Sequence, residues 1–316
     1  MSGEQLPEPP SRGLMVAAFA AIYLIWGSTY LVIRYAIESI PPFLMIGTRF
    51  VFAGIVLWTW ARARGAAVGT RREWFTATLV GTLLLFAGNG WIAWAEKFVP
   101  SSIAALVVAA MPLWMVLLDW KNSPPTTRIL LGLAIGFVGV GMLANTGRGY
   151  DNEPLKMFPI GVMIAATICW AIGSLYSRRS AKPKSTMVNV AMQMIGGGCV
   201  LLIASVACGE MDQFQLSTVT GRSLLAWTYL VIFGSLIAFP AYIWLMTAST
   251  PSLVSTYAFV NPLIAVALGC TIGAEPFSGR LLLSAFLIVV AVVLIIYRPA
   301  AKQIEPIVAN LCEVKK

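Results

Sequence analysis

Histidine is absent from all 316 residues, and aspartate occurs only at Asp119, Asp151 and Asp212. The first absence removes a common metal ligand and general base, the one side chain whose ordinary titration falls near neutrality. Charge of either sign is scarce: Asp, Glu, Lys and Arg make up 11% of the chain, against roughly 25% in a soluble globular protein. No Gly-x-x-x-x-Gly-Lys-Ser/Thr phosphate loop occurs, which argues against ATP-driven work by this chain alone. The five cysteines, Cys169, Cys199, Cys208, Cys270 and Cys312, show no paired metal-ligand spacing and read as small apolar fillers. No stretch between apolar segments is long enough for a soluble domain of usual size. Nothing calls for a cofactor or metal, and an intramembrane enzyme is disfavoured for want of a nucleophile with its base.

What is present is apolar: 59% of residues, against roughly 45–50% in soluble chains. A helix needs about 20 such residues to cross the hydrocarbon core. Ten windows qualify: Leu14–Ala36, Phe43–Arg62, Trp74–Ala95, Ser101–Leu118, Arg128–Asn145, Met157–Ser177, Met187–Cys208, Ser223–Met246, Ser252–Ile272 and Phe277–Tyr297. The predicted fold is an all-α polytopic membrane protein of ten transmembrane helices. The first run is too long, and its leader too acidic at Glu4 and Glu8, for a cleaved signal.

The net charge of +9 is spread over short loops rather than gathered into a stripe, so nucleic acid is not the expected partner. With the N-terminus inside, Arg12, Arg62, Arg64, Arg71, Arg72, Lys121, Arg128, Arg178, Arg179, Lys182, Lys184, Arg298, Lys302, Lys315 and Lys316 fall on the cytoplasmic side. Only Arg34, Lys97, Arg148, Lys156, Arg222 and Arg280 fall outside. This asymmetry predicts cytoplasmic termini.

The chain also matches itself. At an offset of 144, Trp26 meets Trp170, Arg34 meets Arg178 and Arg49 meets Gln193. At 150, Trp94 meets Trp244 and Pro112-Leu113 meets Pro262-Leu263, and at 152 Arg128 meets Arg280. Aliphatic matches come easily in so apolar a chain, but ordered Trp, Pro and Arg matches do not. The expected organisation is a tail over 1–13, a five-helix repeat over 14–145, a connection over 146–156, a second repeat over 157–297 and a tail over 298–316. An odd number of helices per half makes the two repeats inverted, which places a substrate site near the midplane between them and permits alternating access.

The segments Ile25-Trp26-Gly27-Ser28-Thr29-Tyr30, Pro41-Pro42 with Arg49-Phe50, Gly88-Asn89-Gly90, Ala95-Glu96, Val99-Pro100-Ser101, Ser255-Thr256-Tyr257-Ala258 with Asn261-Pro262, and Gly273-Ala274-Glu275 stand in one order. Through them the chain resembles the EamA family of the drug/metabolite transporter superfamily from about Met15 to Tyr297. The resemblance implies a five-plus-five inverted fold around a central cavity, a bacterial inner-membrane location and export of a small organic solute, without naming that solute.

Ionisable groups within a membrane are costly and draw attention first. Arg49 lies seven residues past Pro42, about 10 Å into the bilayer at ~1.5 Å per residue. It has two readings: contact with an anionic substrate group, or a structural role toward the outer interface or freed carbonyls. Its repeat partner, Gln193, is neutral. Glu96 is the expected coupling site if a proton drives transport, with ordering of the outer helix end as the other reading; Glu275 before Pro276 reads as a helix cap. Pro112 and Pro262, at matched deep positions, are expected to kink their helices and either line the cavity or simply bend the chain.

Cavity candidates are the deep aromatics Tyr23, Trp26, Trp91, Trp94, Trp170, Tyr242, Trp244 and Tyr257, with Ser28, Thr29, Asn89, Ser174 and Asn261 as polar groups; each aromatic alone reads equally as packing. Gly132, Gly136, Gly139 and Gly141 give the fifth helix a face for close packing, within the bundle rather than across a weak dimer. The functional expectation is a secondary transporter exporting a small metabolite or drug, with a proton or counter-substrate as its partner in coupling. The alternative is an exchanger, passive facilitator or channel, although charge rings and a filter are lacking.

Overall fold

The computed structural model describes residues 11–99, 104, 107–122, 124–144, 156–272 and 279–296. Among these no strand occurs. The helices are α1 (Arg12–Ala36), α2 (Pro42–Ala63), α3 (Arg71–Ala95), α4 (Met111–Asp119), α5 (Thr127–Ala144), α6 (Met157–Arg179), α7 (Thr186–Ala207), the single turn α8 (Glu210–Gln213), α9 (Gly221–Ala248), the single turn α10 (Pro251–Val254), α11 (Tyr257–Ile272) and α12 (Gly279–Ile296). Six of them, α1, α2, α3, α6, α7 and α9, are long and apolar enough to cross a membrane.

Local chemistry sets where helices begin. Ser11, Ser185, Thr220 and Thr250 accept from backbone N–H groups three residues on, and Thr70 with Glu73 forms a reciprocal capping box. That box starts α3 at Arg71, ahead of the apolar window at Trp74. The turn Pro41-Pro42 offers α2 no side-chain cap. Instead the buried Glu210 reaches over from α8, its carboxylate accepting from Phe43 N at 3.2 Å, Leu44 N at 2.9 Å and Ser205 Oγ at 2.9 Å.

Two helices change gauge halfway. Residues Thr82–Gly90 of α3 and Leu230–Ala238 of α9 are π-helical, with ordinary α-helix on either side. In α9 the change is resolved next to Pro240, which follows Phe239; a proline in a continuous α-helix would clash with the carbonyl four residues back. In α3 the widened stretch contains Gly88-Asn89-Gly90.

The helix is interrupted at Pro112: residues 107–108 are helical, Ala109 and Ala110 form a turn, and Pro112 sits in the first turn of α4, where its missing N–H costs nothing. Pro262 lies inside α11. The expected Glu275 cap, Cys312, and the tail and connecting segments at 1–10, 145–155 and 297–316 lie outside the described residues.

The helices pack in a regular scheme: α2 on α7, α5 on α12, α3 on α7, α2 on α9, α1 on both α9 and α11, and α6 on both α3 and α4. Three successive glycines on α7 allow the tightest of these contacts. A Cβ on Gly197 would lie 2.5 Å from the Gly81 carbonyl oxygen of α3, one on Gly196 would meet Thr78, and one on Gly198 would meet the Val51 nitrogen of α2 at 3.0 Å. Of the expected glycine face of α5, Gly132 packs against Ile295 and Ala291 and Gly136 against Phe259 inside the bundle, whereas Gly141 is exposed and a Cβ there would meet nothing within 4 Å.

Candidate functional site

An internal cavity of about 60 Å³ lies where these helices converge. Its wall is drawn from both parts of the chain: Trp26, Thr29, Tyr30 and Ile33 of α1, Arg49 and Phe50 of α2, Asn89 and Ile92 of α3, Val108 and Met111 around the start of α4, Trp170 of α6, Gly234 and Phe239 of α9, and Tyr257 and Asn261 of α11. At roughly 15 Å³ per water this conformation holds only a few waters, far less than the roughly 300 Å³ or more typical of an organic ligand pocket.

One side of the site is aromatic. Trp26 is the hub, with ring centroids 5.7 Å from Trp170, 5.0 Å from Tyr242 and 4.9 Å from Tyr257. Behind it, the Tyr242 hydroxyl accepts from Trp170 Nε1 at 3.0 Å and shares a 2.5 Å hydrogen bond with Ser174, whose Oγ also donates to the Trp170 carbonyl. Trp170 packs closely against bare backbone: a Cβ on Gly88 would come within 2.6 Å of its ring. The buried polar groups of this side are thus spent on orienting rings, as buried polar groups must be if they are to be tolerated.

Asn261 joins this side to α1. With its amide set by the hydrogen-bond pattern, its nitrogen donates to the Tyr257 and Tyr23 carbonyls at 3.0 and 3.2 Å, and its oxygen faces the Tyr30 hydroxyl. Tyr30 in turn interacts electrostatically with Glu96, as does Arg34. Glu96 is buried at the C-terminal end of α3 and is not part of the cavity wall.

The other side is cationic. Arg49 is 3% exposed; its Nε donates to Ser235 Oγ at 2.7 Å, and its Nη2 lies over Gly234 so closely that a Cβ there would be 2.7 Å away. Nη1 is buried without a hydrogen-bond partner among the described residues.

Of the residues expected at the cavity, Trp26, Thr29, Arg49, Asn89, Trp170, Tyr257 and Asn261 form its wall, and Tyr242 and Ser174 support it from behind. Tyr23 hydrogen-bonds Thr256 beside it, and Ser28 bonds Tyr229 away from it. Several candidates stand elsewhere, which corrects their placement. Trp91 packs against Phe86, Trp94 against Phe98 and Phe158, and Trp244 against the core, while Gln193 is buried behind α6, donating to Ser177 at 3.4 Å. Sequence reasoning missed Gly234 and Ser235, small residues with no signal of their own, and Phe239, one aromatic among many.

The EamA-like transporter family model matches residues 12–145 and again 157–297. The inner membrane transporter YedA of Escherichia coli (strain K12) is 39% identical over 301 residues, covering 95% of this chain and 96% of that protein. The transporter YvbV of Bacillus subtilis (strain 168) is 24% identical over 96% of this chain and 97% of its own. A solved crystal structure, 23% identical, superposes with a TM-score of 0.72 over 90% of this chain and 98% of that one.

Proposed function

Because this chain belongs to the EamA-like transporter family, we propose that it is a ten-helix secondary transporter that exports a small organic solute from a bacterial cytoplasm across the inner membrane by alternating access. The observation that carries the proposal is the cavity where the helices converge, walled by residues from both family matches.

The packing scheme supports an inverted pair of repeats. Exchanging α1 with α6, α2 with α7, α3 with α9, α4 with α11 and α5 with α12 returns the principal pairings named above, and the π-helical stretches of α3 and α9 exchange with each other. Two similar halves around one site can be related by two equivalent conformations, which is what alternating access requires.

If a proton drives transport, Glu96 is the coupling site in this reading. Among the buried carboxylates described, Asp119 is ion-paired with Arg179 and held by Asn122, and Glu210 is committed to the start of α2. Glu96 interacts with Arg34 and also with Tyr30, and Tyr30 reaches the cavity wall.

Flux measured in proteoliposomes over a panel of amino acids, nucleosides and amphipathic drugs tests the proposal. Saturable, counterflow-competent uptake is expected for at least one class. Single-channel currents in a planar bilayer, or flux that rises without saturation, would overturn alternating access in favour of a channel.

A further inference from the structure

Among the buried charged side chains described, three are accounted for by protein groups: Asp119 by Arg179, Glu210 by two backbone N–H groups and Ser205, and Glu96 by its interaction with Arg34. Arg49 differs in three respects. Among the described residues it is the charged residue of the cavity wall and has no carboxylate within ion-pair distance, and its side-chain partners, the Ser235 hydroxyl and the Phe50 ring with its centroid 4.6 Å from the guanidinium carbon, are neutral. A guanidinium cannot shed its charge in a protein, and burying it without a counter-charge is unfavourable unless an anion joins it for part of the protein's working life.

We propose that Arg49 is the docking point for the carboxylate of the transported solute, and that the substrates are small organic carboxylates with an apolar or aromatic body. This rests on the transporter reading above. With Nε held by Ser235, the side chain is fixed in orientation while Nη1 has no hydrogen-bond partner among the described residues, and the planar fork of Nη1 and Nη2 matches a carboxylate with two parallel N–H donors. Gly234 leaves the space for it: any larger residue would press on Nη2. Trp26, Trp170 and Tyr257 supply the apolar side that an organic body requires and an inorganic ion does not. Among the described residues no carboxylate lines the wall to receive a purely cationic drug.

The test uses the full chain, in detergent for binding and in proteoliposomes for flux. The probes are matched pairs: phenylacetate with phenylacetamide, hexanoate with hexanamide, phenylalanine with phenylalaninamide, and chloride and inorganic phosphate as anions without an organic body. Binding is read by tryptophan fluorescence and ligand-induced thermal shift. At least one carboxylate is expected to bind about 10- to 100-fold more tightly than its amide, the range of a charge-assisted, two-point hydrogen bond. That gap closes in Arg49→Gln and partly survives in Arg49→Lys. Gly234→Ala keeps the charge but displaces it, so it narrows the gap without abolishing it and serves where Arg49→Gln fails to fold. Equal binding of carboxylates and amides, binding of neutral members only or of none, preference for chloride or phosphate, or a gap that persists in Arg49→Gln each overturn the assignment. Carboxylate binding without saturable flux leaves the assignment standing and overturns the transporter reading. Saturable flux of neutral or cationic solutes, unaffected by Arg49→Gln, does the reverse.

Discussion

Replacing Gly81 by alanine puts a methyl group into the backbone of the neighbouring helix. A Cβ at this position would lie 2.1 Å from the Gln193 carbonyl oxygen and 2.9 Å from the Gly197 nitrogen. A carbon and a carbonyl oxygen tolerate about 3.3 Å, so α3 and α7 must part by more than about 1 Å. The obstacle is main chain, which has no rotamer into which to retreat. Overpacking a fitted site costs about 1–3 kcal/mol, and the upper end applies where both sides are backbone. Helix propensity returns about 1 kcal/mol on the change from Gly to Ala. The expected net loss is about 2 kcal/mol, a shift of roughly 30-fold in the unfolding equilibrium. SDS titration of the detergent-solubilised protein, followed by tryptophan fluorescence, measures it. The control is Gly161→Ala on α6, where a Cβ meets nothing within 4 Å and only the propensity gain remains. If Gly81→Ala proved as stable as Gly161→Ala, the close crossing of α3 and α7 would be wrong.

Three further outcomes are expected. Glu210→Ala strips the start of α2 of its acceptors and leaves Ser205 without its partner; a loss of about 1–3 kcal/mol in the same titration is expected, and an unchanged midpoint would refute the clamp. In proteoliposomes, Glu96→Gln keeps the shape of the side chain and removes its titration, so a proton-coupled protein should lose its response to a pH gradient while keeping substrate exchange; an intact gradient response would remove Glu96 from the mechanism. In whole cells of a cysteine-free variant, a membrane-impermeant thiol reagent should reach a cysteine placed at Leu216 and not one placed at Arg71, and the opposite pattern would invert the topology.

The long helices were legible because a bilayer demands uninterrupted apolar runs, a signal few other structures produce. Their ends were less so, since a cap such as Thr70 with Glu73 extends a helix past its apolar window. The π-helical stretches left almost no trace: Pro240 marks one and Gly88-Asn89-Gly90 falls in the other, but neither pattern is peculiar to that conformation. At the site, Arg49 stood out because charge within a membrane is rare, and Asn261 because an amide beside a proline needs partners. The tryptophans misled in part. A helix wholly in lipid or protein is apolar all round, so its periodicity does not say which face looks inward, and Trp94 and Trp170 read alike until their neighbours are known. Gly234 and Ser235 became visible only through the side chain that lies against them.

Where α2, α3 and α7 meet through bare backbone, the membrane itself is kept out. A hydrocarbon chain needs about 4 Å of clearance on each side, and the contacts of Gly81 with Gly197 and of Gly198 with Val51 leave none. Lipid has no sideways path to the guanidinium through that flank, and the seal does not depend on a side chain that could swing aside. Backbones in contact cannot slide without climbing over one another's carbonyls, so these three helices form a stiff plate. Whatever motion opens the cavity is left to the helices that meet it through larger and more pliant side chains.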